Sequence, residues 1–242
     1  MLLTGVLTES SLASEVARVA LAEGAEVLLT SPVCRGHRIT SRVAPRLGVE
    51  APVLELDVEL PDDLVGLEQA VRDAGWDRID GVLHAIAYLP ESAEQGFAAQ
   101  PWSVVGTTLQ TSAWSLAALA HALRPLLGRG SSIVGLDLDA SRTWVGQSWL
   151  GVGQAALEGT ARYLARELGP DGIRVNLVAS GPSHTMLRRA LGDLSWDDAA
   201  PLGWNERSGL ATARAVVALM SDWFPATTGE IVHVDGGRHA IG

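Results

Sequence analysis

A chain of 242 residues in which 47% of side chains are hydrophobic and 19% charged has the size and composition of one globular α/β domain with a substantial core. A net charge of −10 with no visible basic patch argues against nucleic acid or an anionic membrane surface as a partner. The single Cys34 excludes an internal disulfide framework and a multi-cysteine zinc site, and no histidine stands at ligand spacing from it, so no metal is expected.

Apolar runs stay well short of the roughly 20 residues that span a bilayer, and no basic stretch precedes the first of them. Neither a membrane span nor a secretory leader is expected, which leaves the cytoplasm as the expected location. Strand character begins at Leu2, which predicts a natural start a few residues upstream.

Taken in order, residues 2–7 form a short apolar run, followed by T-E-S-S and then apolar residues at helical spacing from Leu12 to Ala20. This is a strand, a turn and an amphipathic helix. Residues 26–30 supply a second strand, about 36–47 a helix, 52–58 a third strand and about 61–74 a helix. Residues 80–87 and 131–136 read as the fourth and fifth strands, separated by a long apolar helix over 110–126. A helix carrying Gln154 runs to about Leu168, where Gly169-Pro170-Asp171-Gly172 stops it. A strand over 173–179, a helix over 211–220 and a strand over 230–235 complete the chain. Alternating strands and helices, with continuously apolar strands, predict a doubly wound parallel sheet in a single Rossmann-like domain spanning 1–242.

In such a sheet the ligand sits at the carboxyl ends of the strands. The first turn, Gly5 to Ala13, is then the place for a pyrophosphate, with Gly5 permitting close approach and Ser10 or Ser11 capping a helix whose amides favour an anion. The alternative is a plain serine-capped helix, since the G-x-G-x-x-G fingerprint is absent. Asp57, ending the third strand, is placed either to accept from an adenine amino group or to cap a loop. No acid ends the second strand, and Arg35 or Arg38 is available for a 2′-phosphate, so charge does not choose between NADH and NADPH.

The segments T-G-V-L-T-E-S-S-L-A at the first turn, L-E-L-D-V at 54–58, D-G-V-L-H-A-I-A-Y-L-P at 80–90 and G-S-S-I-V-G-L-D-L-D-A-S-R at 130–142 carry a resemblance. So do G-I-R-V-N-L-V-A-S-G-P at 172–182, P-L-G-W-N at 201–205 and the terminal S-D-W-F-P-A-T-T-G-E-I-V-H-V-D-G-G. Together they resemble the enoyl-acyl-carrier-protein reductases, a divergent branch of the short-chain dehydrogenase/reductases, in their mycobacterial-type NADH-dependent form. The resemblance implies NADH as cofactor, with NADPH not excluded, an acyl thioester on a carrier protein or coenzyme A as substrate, and a homotetramer. It places Gly5, Leu7, Ser11, Leu12, Asp57, Val58, Ile86, Ala87, Asp137, Ser183 and Thr185 against the cofactor. It places Tyr88, Leu89, Leu138, Trp149 and Trp196 against the substrate.

The family's catalytic tyrosine and lysine fall on Gln147 and Gln154, seven positions apart, a spacing that sets both side chains on one face of a helix. An amide at 147 is a neutral donor to a thioester oxygen, and an amide at 154 both donates to and accepts from ribose hydroxyls. Three readings fit: an enoyl thioester reductase using Gln147 as electrophile, a relative using the pocket for a cyclisation or elimination, or a non-catalytic dinucleotide-binding protein. Other residues carry two readings each. Tyr88 faces substrate or packs; His184 donates a proton or does not; His84 is a hydrogen-bonded core residue. Trp144, Trp149 and Trp196 line an acyl pocket or the core, and Asp137 and Asp139 form an acid–base pair or cap the loop after the fifth strand.

Overall fold

A computed structural model describes residues 1–32, 35–88, 96–144, 146–182 and 196–241, without the side chains of 35–37 and 197–198. Among these, seven strands form one all-parallel sheet: β1 (Leu2–Leu3), β2 (Leu28–Ser31), β3 (Leu54–Glu55), β4 (Gly81–His84), β5 (Ser132–Asp137), β6 (Arg174–Ser180) and β7 (Ile231–Val234). Their order is β3-β2-β1-β4-β5-β6-β7. The chain winds outward from β1 through β2 and β3, then crosses to the other side of β1 for β4. The winding reverses between β1 and β4, which opens a crevice at their carboxyl ends.

The helices are α1 (Leu12–Ala22), α2 (Arg35–Leu47), α3 (Pro61–Asp73), α4 (Trp102–Leu109), α5 (Ser115–Leu123), α6 (Ser148–Leu168), α7 (Trp196–Ala199) and α8 (Leu210–Met220). Although the strands are apolar throughout, their side chains alternate between two cores. Val82, Ile133, Val175 and Leu177 pack with Leu67 of α3, Leu116 of α5 and Leu157 of α6. Leu3, Leu29, Leu83, Val134 and Val178 pack with Val16 of α1, Val43 of α2 and Val216 of α8. Arg174 leaves β6 to donate to the carbonyls of Leu219 and Ser221 at 2.7 and 2.8 Å, capping the carboxyl end of α8.

Two boundaries depart from the sequence expectation. The helix expected from residue 110 begins at Trp102, and Gln110–Trp114 is a π-helical turn joining α4 to α5. Val104, Val105, Thr107 and Thr108 with Gly106 have poor helix propensity, and no side chain caps the start, so local signals did not mark it. At α6 the helix begins at Ser148, leaving Gln147 as the residue before it. The strands keep their expected places: β1–β4 and β7 shorten, while β5 and β6 keep their length and shift by one residue. Among the described residues no helix is long and apolar enough to cross a membrane.

Candidate functional site

At the crevice, β1 runs into the first turn. Thr4 Oγ1 donates to Leu83 O and accepts from Ala85 N, both at 2.9 Å, which ties the ends of β1 and β4 together. Gly5 adopts φ +79°, and a Cβ there would lie 2.1 Å from Ala85 O. The glycine is therefore required by the neighbouring strand end; closeness to a ligand was the sequence's reason for it. Ser11 caps α1, accepting from Ser14 N at 3.3 Å, and Thr40 of α2 donates to Val6 O at 2.6 Å beneath the turn. Leu7 is exposed and Leu12 half-buried beside it. The turn so braced presents the amino end of an eleven-residue helix to the crevice.

Asp57 follows β3. Its Oδ1 accepts from Glu59 N at 2.9 Å, the loop-capping arrangement, while its own N–H donates to Asp63 Oδ2 at 2.8 Å. The Val58 side chain is buried in the core. Arg38 is exposed on α2.

Beyond β4, Ile86 is half-buried and Ala87 and Tyr88 are exposed. Tyr88 N donates to Ser112 Oγ at 3.1 Å, so the π turn holds this segment. His84 is fully buried, and its Nε2 lies 2.7 Å from Ser115 Oγ. Ser115 Oγ donates to Thr111 O at 2.6 Å, so it accepts from His84, which puts the imidazole proton on Nε2. Nδ1 is left buried without a partner. Burial holds the imidazole pKa down from 6.5 to about 4, so the ring is neutral. The core assignment for His84 matches this geometry. Sequence reasoning missed Ser112 and Ser115. Their signal was small polar residues at 108, 111, 112 and 115, spaced three or four apart within an apolar helix.

The floor of the crevice is the end of β5 against α6. Gln154 is 1% exposed, and its Oε1 accepts from Leu138 N at 3.4 Å. Gln147 is 6% exposed, and its Oε1 lies over Gly151, where a Cβ would approach it to 3.1 Å. The backbone around Gln147 is strained: Gly146 has φ +83°, and Ser148, at φ +46°, is the one non-glycine residue with positive φ among those described. Gln147 therefore stands just before the regular helix that carries Gln154, with its side chain over Gly151 one turn on. Both are nonetheless buried at the same end of α6.

Asp137 ends β5 at 2% exposure, and neither carboxylate oxygen has a hydrogen-bond partner among the described residues. Burial, with Glu158 and Asp139 adding to it, raises its pKa well above the usual carboxylate range. Asp139, by contrast, caps its loop, accepting from Ser141 N and Oγ and from Trp144 Nε1 at 2.9–3.2 Å. Hydrogen bonds from Ser141, Trp144 and His233 outweigh its desolvation and lower its pKa. The two aspartates share no hydrogen bond among the described residues, and Asp139 matches the loop-capping alternative.

Trp149 stacks on Phe97 at 4.7 Å and donates from Nε1 to Phe97 O at 2.9 Å, clasping residues 97–99 over the start of α6. Trp196 is buried against Trp144, with ring centroids 5.2 Å apart, and clusters with Ala200 and Trp204. Cys34, Leu89, Ser183, His184 and Thr185 lie outside the described residues. A groove of about 640 Å³ lined by Leu64, Val65, Trp114 and Ala118 lies between α3 and α5, on the outer flank and away from the strand ends. Its residues carry none of the crevice's chemistry.

These residues fit a dinucleotide: a capped helix end at the first turn, two buried amides and an unpartnered buried carboxyl share the carboxyl edge of the sheet. The profile of the family described as Enoyl-(Acyl carrier protein) reductase matches residues 5–239. The chain belongs to the enoyl-acyl-carrier-protein reductase family. An NADH enoyl-acyl-carrier-protein reductase of Mycolicibacterium smegmatis is 40% identical across 98% of this chain and 94% of its own length. That of Mycobacterium avium shows the same figures, and an NADPH enzyme of Staphylococcus aureus is 30% identical over 98% and 95%. This enoyl-acyl-carrier-protein reductase family member contains no lysine, since all 18 basic residues are arginine. Its two tyrosines are Tyr88 and Tyr163, and Tyr163 is 77% exposed on the outer side of α6.

Proposed function

We propose that the chain is one domain that reduces 2-enoyl thioesters carried on acyl carrier protein or coenzyme A, using NADH, with Gln147 in the position of the family tyrosine and Gln154 in that of the lysine. Two buried glutamines beside the end of β5, in a chain matched along nearly its whole length by NADH enoyl reductases, carry this reading. NADPH is the alternative donor, as in the more distant staphylococcal relative.

The α1 amino end with Gly5, Leu7, Ser11 and Leu12 receives the pyrophosphate and its ribose. Asp57 and Val58 take the adenine, and Ile86, Ala87, Asp137, Gln154, Ser183 and Thr185 the nicotinamide half. Bound NADH supplies a hydride. Tyr88, Leu89, Leu138, Trp149 and Trp196 line the acyl side. The Gln147 amide N–H donates to the thioester oxygen as negative charge gathers there, and the strained backbone around it fixes the direction of that donor. A ketone reductase needs an acid at the oxygen it protonates. An enoyl reductase needs a donor at the oxygen while the proton goes to carbon from solvent, and an amide serves that role.

The chain acts in the cytoplasm as a homotetramer on this reading. Exposed Trp102, Trp114 and Tyr163 on the outer sides of α4, the π turn and α6 support an apolar subunit contact. Light scattering at micromolar concentration tests it. The activity is tested by following NADH absorbance with enoyl thioesters of several chain lengths. Tight NADH binding without oxidation at any length would transfer the pocket to a non-redox conversion, and no dinucleotide binding would remove the reading.

A further inference from the structure

Asp137 stands out as the most deeply buried carboxyl of the crevice with nothing bonded to it. It lies on the sheet face that carries His84, since Val82 and Ile133 share one core and the register sets His84 beside Gly135, two residues before Asp137. The groups acting on it are few. Glu158 comes from α6 one turn beyond Gln154, and Asp139 from the following loop. Arg162 comes from two turns along α6, with its Nη1 3.6 Å from Glu158 Oε2. On the adjacent strand His84 is neutral. The Leu138 N–H lies close enough to favour a carboxylate and opposes burial and the two acids, but it donates at 3.4 Å to Gln154 Oε1.

We propose that Asp137 acts as a neutral carboxyl whose O–H donates to a hydroxyl of the bound dinucleotide beside Gln154, doing by hydrogen bonding what a cationic side chain would do by charge. The inference rests on the dinucleotide reading above. With no lysine in the chain, two carboxylates act on Asp137, and the one cation acting on it among the described residues, Arg162, already stands beside Glu158, so an anion there is poorly balanced. A protonated carboxyl gains an O–H donor and keeps an acceptor, the complement of a sugar hydroxyl. Burial of this kind is a general means of keeping a carboxylic acid neutral so that it can donate. Asp137 is thus a positioning and binding residue, and its donor is available only while the group stays protonated.

Infrared difference spectroscopy at neutral pH, wild type minus Asp137→Asn, is expected to show a protonated-carboxyl carbonyl stretch that shifts when NADH is added. NADH affinity of the wild type is expected to fall about tenfold at alkaline pH as Asp137 ionises, the upper end of the worth of one hydrogen bond. Asp137→Asn keeps an uncharged N–H donor, so its affinity should stay within about threefold of the wild type's best value at every pH. Should Asp137→Asn fail to fold, Gln154→Lys provides the second arm: an ammonium there pairs with Asp137 and should abolish the band. NADH binding without any protonated-carboxyl band, or an Asp137→Asn profile that tracks wild type, overturns this inference alone. A band with no NADH binding overturns the dinucleotide reading and this use of the carboxyl with it.

Discussion

Leu138 donates its backbone N–H to Gln154 Oε1 at 3.4 Å, so β5 engages the acceptor end of this amide and its NH2 group is the end presented to a ligand. On the function proposed above, that orientation makes Gln154 a donor toward cofactor hydroxyls. Gln154→Leu removes the donor while retaining volume, and a net hydrogen bond of about 0.5–1.5 kcal/mol sets the expected loss at up to about tenfold in NADH affinity. Tryptophan fluorescence titration measures it. An unchanged dissociation constant would mean that Gln154 only supports the strand.

Gln147 is expected to act on the reaction more than on binding. Gln147→Ala should lower kcat by roughly a hundred- to a thousandfold, the usual cost of one donor to a developing oxyanion, with KM changed by only a few fold. The double variant Gln147→Tyr with Gln154→Lys should raise turnover on enoyl thioesters. Steady-state kinetics at several chain lengths decide both. A double variant that binds NADH and gains nothing would show that the surrounding pocket has been rebuilt for other chemistry.

The parallel, doubly wound sheet, the helix entering at Leu12 and the end of α6 at Leu168 were all legible, because continuous apolar strands, a serine cap and a Gly-Pro-Asp-Gly stop are local signals. The start of α4 was not, since β-branched residues and Gly106 are held helical by packing against α6 and the π turn. Within the site, the glutamines at 147 and 154 could be placed at one end of a helix, but the left-handed backbone of Ser148 has no sequence signature. Asp137 was legible as a cofactor neighbour through the resemblance and as a carboxylate near Asp139, but not as an unpartnered one. That one caps a loop and the other has no hydrogen-bond partner among the described residues depends on where each stands: Asp137 ends β5 near Glu158 of α6, and Asp139 lies in the following loop with Ser141 and Trp144.

His84 makes the fold acid-sensitive. In the folded chain its pKa is lowered from 6.5 to about 4 by burial, so between those values the unfolded chain binds a proton that the folded chain excludes. Stability from this group is intact above about pH 7 and is lost as pH falls through that window, by about 3 kcal/mol in all. His84→Gln removes the titration. The variant should be less stable at pH 7, having disturbed the bond to Ser115, but its urea midpoint should change less between pH 6.5 and 4.5 than that of the wild type. Parallel slopes for the two proteins would show that another group governs acid unfolding.

Gly5 gives the sharpest steric prediction. Its φ of +79° already disfavours any L side chain, and the added Cβ of Gly5→Ala would meet Ala85 O at 2.1 Å and Ala85 Cβ at 2.9 Å. The carbonyl belongs to the segment that Thr4 holds through two 2.9 Å hydrogen bonds, so relief requires the ends of β1 and β4 to separate. Left-handed strain of about 1–2 kcal/mol and overpacking of about 1–3 kcal/mol together predict roughly 2–5 kcal/mol of destabilisation. Urea denaturation measures that loss. Because the separation occurs at the crevice between β1 and β4, NADH affinity should fall in the same variant. A Gly5→Ala protein with wild-type stability would mean that the two strand ends have slack, and the first turn would then lack the rigidity assigned to it.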